Sequence, residues 1–284
     1  MENIRLMYIT NEPSVAVIAE NAGVDRIFVD MEYIGKGLRQ GGMDTVQSRH
    51  TTEDAKAVKA VLGKAELMVR CNPIHKATAE YCSSKEEIDA IVEAGADIIM
   101  LPYFKTAEEV REFVKLVGGR AKTFPLVETR EAVECLDEIL EIEGIDEIYV
   151  GLNDLSLSYG KKFMFQLLAE GKVDEIVEKF KAKGIPFGFG GIASVGQGLL
   201  PGEYVMRAHY RLGSTSVILS RSFCDAKKIT DKQELEVIFN NGIKALREVE
   251  LECIENLGNP EYFIENHRVL QEKTEEILEV INKK

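Results

Sequence analysis

The chain has 284 residues, 45% of them hydrophobic and 29% charged, which is the balance of a globular protein large enough for a sizeable core. Its 48 acidic residues outnumber 35 basic ones and give a net charge of −13, against nucleic acid or another polyanion as partner. The five cysteines (71, 82, 135, 224 and 253) form no CxxC pair, against a disulfide framework or a zinc site, and fit a reducing compartment.

Taken in order, the chain repeats one pattern. Apolar runs of strand length occur at RLMYI (5–9), RIFVD (26–30), ELMVR (66–70), DIIML (97–101), TFPLVE (123–128), EIYVG (147–151), PFGFG (186–190) and SVILS (216–220). Helical patterns lie between most of them. Ser84 with Glu87 and Thr106 with Glu109 have capping-box spacing, and Gly63, Gly95, Gly118, Gly144 and Gly184 stand where helices should stop. Eight nearly continuous apolar strands, buried on both faces, predict a (β/α)8 TIM barrel. An open doubly wound sheet is the runner-up, disfavoured because no GxGxxG turn follows the first strand. Two long amphipathic helices follow the eighth strand, so the expected division is a catalytic barrel over 1–230 and a helical C-terminal extension over 231–284. That extension is expected to pack on the barrel or on a neighbouring subunit. No run of 18 apolar residues occurs, and the N-terminus lacks a basic segment before an apolar one, so the expectation is a cytoplasmic protein with no membrane partner.

In such a barrel the strand ends carry the chemistry. They supply Asp30 and Glu32 after strand two, Arg70 after strand three, Glu128 after strand five, Asp154 after strand six, and Ser220 with Arg221 after strand eight. The unit FPLVETREAVECLDEILEIEGIDEIYVGLNDLSLSYG (124–160) reads as strand, helix, strand, and brings Glu128 and Asp154 to one edge of the sheet. Two carboxylates and no basic strand-end residue in that unit suggest a hard divalent cation.

Five stretches carry a resemblance. FVDMEY (28–33), VRCNP (69–73), GADIIMLP (95–102), VETREAVECLDEIL (127–140) and GIDEIYVGLNDLSLSYG (144–160) resemble the HpcH/HpaI aldolase family, metal-dependent pyruvate aldolases related to the citrate lyase β subunit. The match is clear from Ile27 to Gly160 and loose beyond. The resemblance implies cleavage or formation of a 4-hydroxy-2-keto acid, from pyruvate plus an aldehyde, through a pyruvate enolate. It assigns Glu128 and Asp154 as ligands of Mg2+ or Mn2+, and Arg70 as the contact of the keto oxygen. It gives the backbone around Gly151, Asn153 and Asp154 to the pyruvate carboxylate, and it implies a homo-oligomer.

One departure matters. Where the family has DxEH, with histidine as catalytic base, this chain has Asp30-Met31-Glu32-Tyr33. Two substitutes are open, Tyr33 and His50, with Asp30 and Glu32 orienting waters or the base. His50 ends GKGLRQGGMDTVQSRH (35–50), a connection long enough to be a candidate lid. His75, His209 and His267 have no partner at metal-ligand spacing and read as structural or surface residues. A Schiff-base mechanism would fall to Lys105, in a stretch that reads as a helix start in solvent. Gly188, Gly190 and Gly191, with Ser220 and Arg221, occupy the region where barrels often bind phosphate, or serve close packing only. A CoA-thioester lyase of the citrate lyase β type and a catalytically weakened barrel kept for binding are the alternative functions.

Overall fold

The computed structural model describes residues 3–36 and 50–283. Eight parallel strands, β1 (Arg5–Ile9), β2 (Arg26–Asp30), β3 (Glu66–Arg70), β4 (Ile98–Leu101), β5 (Lys122–Val127), β6 (Ile148–Val150), β7 (Phe187–Ile192) and β8 (Ser216–Leu219), pair in sequence order and close into a barrel. Closure is direct: β8 pairs with β1, with Leu6 opposite Val217. An open doubly wound sheet would leave two unpaired edges, and this fold has none.

Period-two alternation sorts the strand side chains. Met7, Phe28, Met68, Ile98, Met100, Phe124, Leu126 and Tyr149 point inward and pack as their own cluster, while the intervening residues join the larger core between strands and helices. Arg26 plugs the N-terminal end of the barrel. It is fully buried, its Nε donates to Glu66 Oε2 at 2.9 Å, and its Nη1 and Nη2 donate to Glu147 at 2.9 and 2.5 Å. A guanidinium stripped of water is tolerated there because two carboxylates satisfy it in a paired geometry.

The helices are α1 (Pro13–Asn21), α2 (Thr52–Lys59), α3 (Ser84–Glu93), α4 (Ala107–Val117), α5 (Arg130–Glu134), α6 (Leu136–Ile139), α7 (Leu152–Ser158), α8 (Gln166–Ala169), α9 (Lys172–Ala182), α10 (Gly202–Leu212), α11 (Lys232–Glu255) and α12 (Pro260–Asn282). Thr106 and Glu109 cap α4 reciprocally, and Gly118 ends it in the left-handed region. The capping box of α3 is one residue earlier than expected, on Ser83 and Glu86. The shift has a cause: Ser84 Oγ accepts the His75 N–H, and Glu87 is turned inward onto Asn72. The single helix expected after Glu128 is broken at Cys135 (φ −101°, ψ 19°) into α5 and α6.

α11 packs between α10 and α1, the place of the barrel's eighth helix, and α12 lies outside it over α10 and α8. Buried Glu250 of α11 accepts the Ile4 N–H at 2.8 Å and the Tyr210 hydroxyl at 3.2 Å, tying α11 to the entry of the first strand. Among the described residues, no helix is long and apolar enough to cross a membrane.

Candidate active site

The inward parity of each strand carries on past its last hydrogen bond. Phe28 is followed by Asp30, Met68 by Arg70, Leu126 by Glu128 and Tyr149 by Gly151, so an apolar layer is overlaid by a polar one at the C-terminal mouth. Register fixes the first pair, since Asp30 stands opposite Arg70. Above this layer lies a cleft of about 820 Å3, lined by Asp30, Lys36, His50, Arg70, Glu128, Gly151, Asn153, Asp154, Gly190, Gly191, Ser220 and Arg221.

Asp30 and Arg70 form a two-pronged ion pair, Nε to Oδ1 at 2.8 Å and Nη2 to Oδ2 at 2.7 Å. Lys36 Nζ adds a bond to Asp30 Oδ2 at 2.8 Å and lies 3.3 Å from Glu32 Oε2, which is itself 3.5 Å from Arg70 Nε. Two buried acids thus face two cations across the barrel mouth. Burial alone would raise the Asp30 pKa, but the guanidinium and the ammonium outweigh it and hold the carboxyl far below the usual carboxylate range.

Glu128 is buried, and its Oε1 accepts the Tyr103 N–H at 2.8 Å. Tyr103 has φ 49°, the left-handed region a tyrosine adopts at a cost of about 1–3 kcal/mol, and that turn aims its amide at the carboxylate. The other oxygen lies over Gly151, where a Cβ would stand only 2.8 Å from Oε2. Gly151 immediately precedes α7, whose first turn carries Asp154. The two acids expected to share an ion therefore line one cleft, from adjacent strand ends. Among the described residues no group of three or more His, Cys, Asp or Glu converges on a metal-sized site. A two-carboxylate set of hard oxygens fits a divalent cation that keeps most of its positions for water and ligand.

The structure corrects or sharpens several expectations. Tyr33 does not line the cleft: it is 48% exposed, burial and Glu87 raise its pKa, and its backbone N–H is held by Asn72 Oδ1 at 2.9 Å. The Gly151 amide donates to Val127 O at 3.0 Å, so it is spent on the barrel ladder and does not serve a carboxylate. Lys105 is absent from the cleft lining, with its side chain 46% exposed, and it pairs with Glu131 at 3.0 Å, a contact that raises its pKa rather than lowering it. Gly190 and Gly191 reach the cleft, but Gly188 is packed inside the barrel, where a Cβ would meet Ser216 O at 2.4 Å and Tyr149 at 2.5 Å. His75 bonds to backbone carbonyls of Pro73 and Cys82, away from the cleft, and His209 is fully buried. Of the connection 35–50, residues 37–49, on which the lid expectation falls, lie outside the described residues.

Sequence reasoning missed Lys36, the Tyr103 amide and the β1 loop residues Thr10 and Asn11 that also line the cleft. Tyr103, Thr10 and Asn11 come from loops, where no periodicity marks which way a residue faces.

The family profile described as HpcH/HpaI aldolase/citrate lyase matches residues 5–185. The hydroxypyruvate/pyruvate aldolase of Roseovarius nubinhibens is 24% identical over 160 residues, 45% of this chain and 61% of that protein. The 2-keto-3-deoxy-L-rhamnonate aldolase of Escherichia coli is 31% identical over 107 residues, 27% of this chain and 40% of that one. The chain thus matches less than two thirds of the length of either relative. A solved HpcH/HpaI aldolase/citrate lyase family protein from Burkholderia cenocepacia J2315 superimposes with a TM-score of 0.59 at 16% identity, over 88% of this chain and 95% of the other.

Proposed function

The chain belongs to the HpcH/HpaI aldolase/citrate lyase family, and from that premise we propose that it is a divalent-metal-dependent pyruvate aldolase. It would cleave or form a 4-hydroxy-2-keto acid. The observation that carries this reading is the convergence of Glu128, Asp154 and Arg70 on one cleft at the barrel mouth.

In this reading Glu128 and Asp154 hold Mg2+ or Mn2+, and the bound cation would supply Lewis-acid polarisation of the keto oxygen. Arg70 does its work with a fixed side chain. Asp30 takes its Nε and Nη2, so the guanidinium is clamped at the strand end and Nη1 remains to meet the keto oxygen as enolate charge develops. Held donors need not reorganise when charge appears, which is what makes them more effective than water. The pyruvate carboxylate lies against the backbone of Asn153 and Asp154, the Gly151 amide being committed elsewhere. Asp30 and Glu32 act through Arg70 and Lys36, as positioning groups.

The test is release of pyruvate from a series of 4-hydroxy-2-keto acids. Release is expected to stop with EDTA, to return with Mg2+ or Mn2+, and to fall by about 10²-fold or more in Glu128→Gln and Asp154→Asn. Cleavage that survives EDTA and is trapped by borohydride would replace this reading with a lysine mechanism, and pyruvate binding without turnover would point to a binding protein.

A further inference from the structure

His50 stands at the cleft in one protonation form. It is almost fully buried just ahead of α2, and its Nδ1 accepts the backbone N–H of Asp30 at 3.0 Å. A backbone amide has a proton to give and no lone pair to offer, so Nδ1 must be bare. A neutral imidazole with a bare Nδ1 carries its proton on Nε2. An imidazolium would set N–H against N–H and break the contact. The surroundings agree: burial lowers the His50 pKa, and the ammonium groups of Lys227, after β8, and of Lys36 push the same way, against Asp30 and Asp54 of α2. Asp30 is already committed to Arg70 and Lys36, which limits its pull on a His50 proton.

We infer that His50 acts in the aldol step as a neutral hydrogen-bond donor through Nε2–H, directed at the oxygen of the aldehyde half, and not as the base. The inference rests on the aldolase reading of the cleft. Two centres gain negative charge in that reaction. The keto oxygen is met by Arg70 and would be met by the cation that Glu128 and Asp154 hold, which leaves the aldehyde oxygen for His50. In the addition direction the enolate carbon bonds to the carbonyl carbon, and the carbonyl π pair moves onto that oxygen. In cleavage the same pair re-forms the carbonyl as the carbon-carbon bond breaks and its electrons return to the enolate. The proton this oxygen gains or loses is exchanged with water, because loss of Nε2–H would leave an imidazolate. A neutral imidazole fixed as a donor by its environment is a known solution for polarising a carbonyl.

The experiment uses the full chain labelled with 15N-histidine, the His50 signals being identified by their loss in His50→Gln. The expected spectrum shows an unprotonated Nδ1 and a protonated Nε2, unchanged across neutral pH. In pyruvate-release assays His50→Ala is expected to lose about 10²-fold, while His50→Gln, whose amide can donate but not act as a base, stays within about tenfold of the wild type. A protonated Nδ1, an imidazolium forming near the ordinary histidine pKa, or a His50→Gln protein as inactive as His50→Ala would overturn the assignment. If the wild type cleaves no keto acid, the aldolase reading fails, and the nitrogen spectrum still decides the form of His50.

Discussion

A methyl group on Gly151 would stand 2.8 Å from Glu128 Oε2 and 3.0 Å from its Cβ. The backbone there (φ −81°, ψ 87°) suits any residue, so the glycine is required by its neighbour and not by its own conformation. Gly151→Ala is therefore expected to displace the Glu128 carboxylate. It should weaken Mn2+ binding by about tenfold or more in calorimetry, at a stability cost of about 1–3 kcal/mol. Unchanged Mn2+ affinity would mean that Glu128 is not a ligand. At this scale the sequence was legible wherever a residue ended a strand. Alternation puts Asp30, Arg70 and Glu128 at the barrel mouth, while Asp154 reaches the same cleft from the first turn of α7. Tyr33 misled because it follows Asp30 and Glu32 in the chain, while Asn72, anchored by Glu87, takes the Tyr33 and Ile34 amides and so fixes the path of that loop. Lys36 gave no signal, standing between Gly35 and Gly37 in a stretch without apolar periodicity.

Among elements, the packing of α10 on β7 carries a consequence for pH. His209 of α10 stacks on Phe189 of β7 at 3.8 Å, its Nδ1 is paired with Ser214 Oγ, and burial pushes its pKa down to about 3. An unfolded histidine titrates near about 6.5, so the folded state binds fewer protons below that value. The stability due to the neutral ring is fully present above about pH 6.5 and is lost as pH falls toward about 3, at no more than about 1.4 kcal/mol per pH unit. Urea unfolding of wild type and His209→Gln between pH 7 and pH 4.5 checks this. The wild type should lose stability more steeply, by close to one proton, and parallel curves would contradict it. The strands were legible to within two residues at either end because their apolar runs are short and bounded. The one-residue shift of the α3 cap was not, since it is set by tertiary partners, Ser84 being engaged by His75 and Glu87 by Asn72, and the break at Cys135 lies inside an unbroken amphipathic pattern.

For the whole molecule, the parallel pairing of β5 with β6 through Leu126 and Tyr149 brings acids 26 positions apart to one cleft: Glu128 follows β5, and Gly151 leads from β6 into Asp154. The number of strands could be counted from the sequence, but the assignment of the last two helices could not, because both are amphipathic. Contacts of α11 with α1 and α10 lead us to propose counting it with the barrel, and only α12 as the extension. The central claim is that Glu128 and Asp154 together hold a cation that stabilises a pyruvate enolate, and it can be tested without knowing the aldehyde. Exchange of the pyruvate methyl protons in D2O, followed by proton NMR, reports enolate formation alone. The account predicts exchange by the wild type with Mg2+ or Mn2+, none above background with EDTA, and none in Glu128→Gln or Asp154→Asn. Exchange indifferent to EDTA and to both substitutions, or no exchange by the metal-saturated wild type, would contradict it.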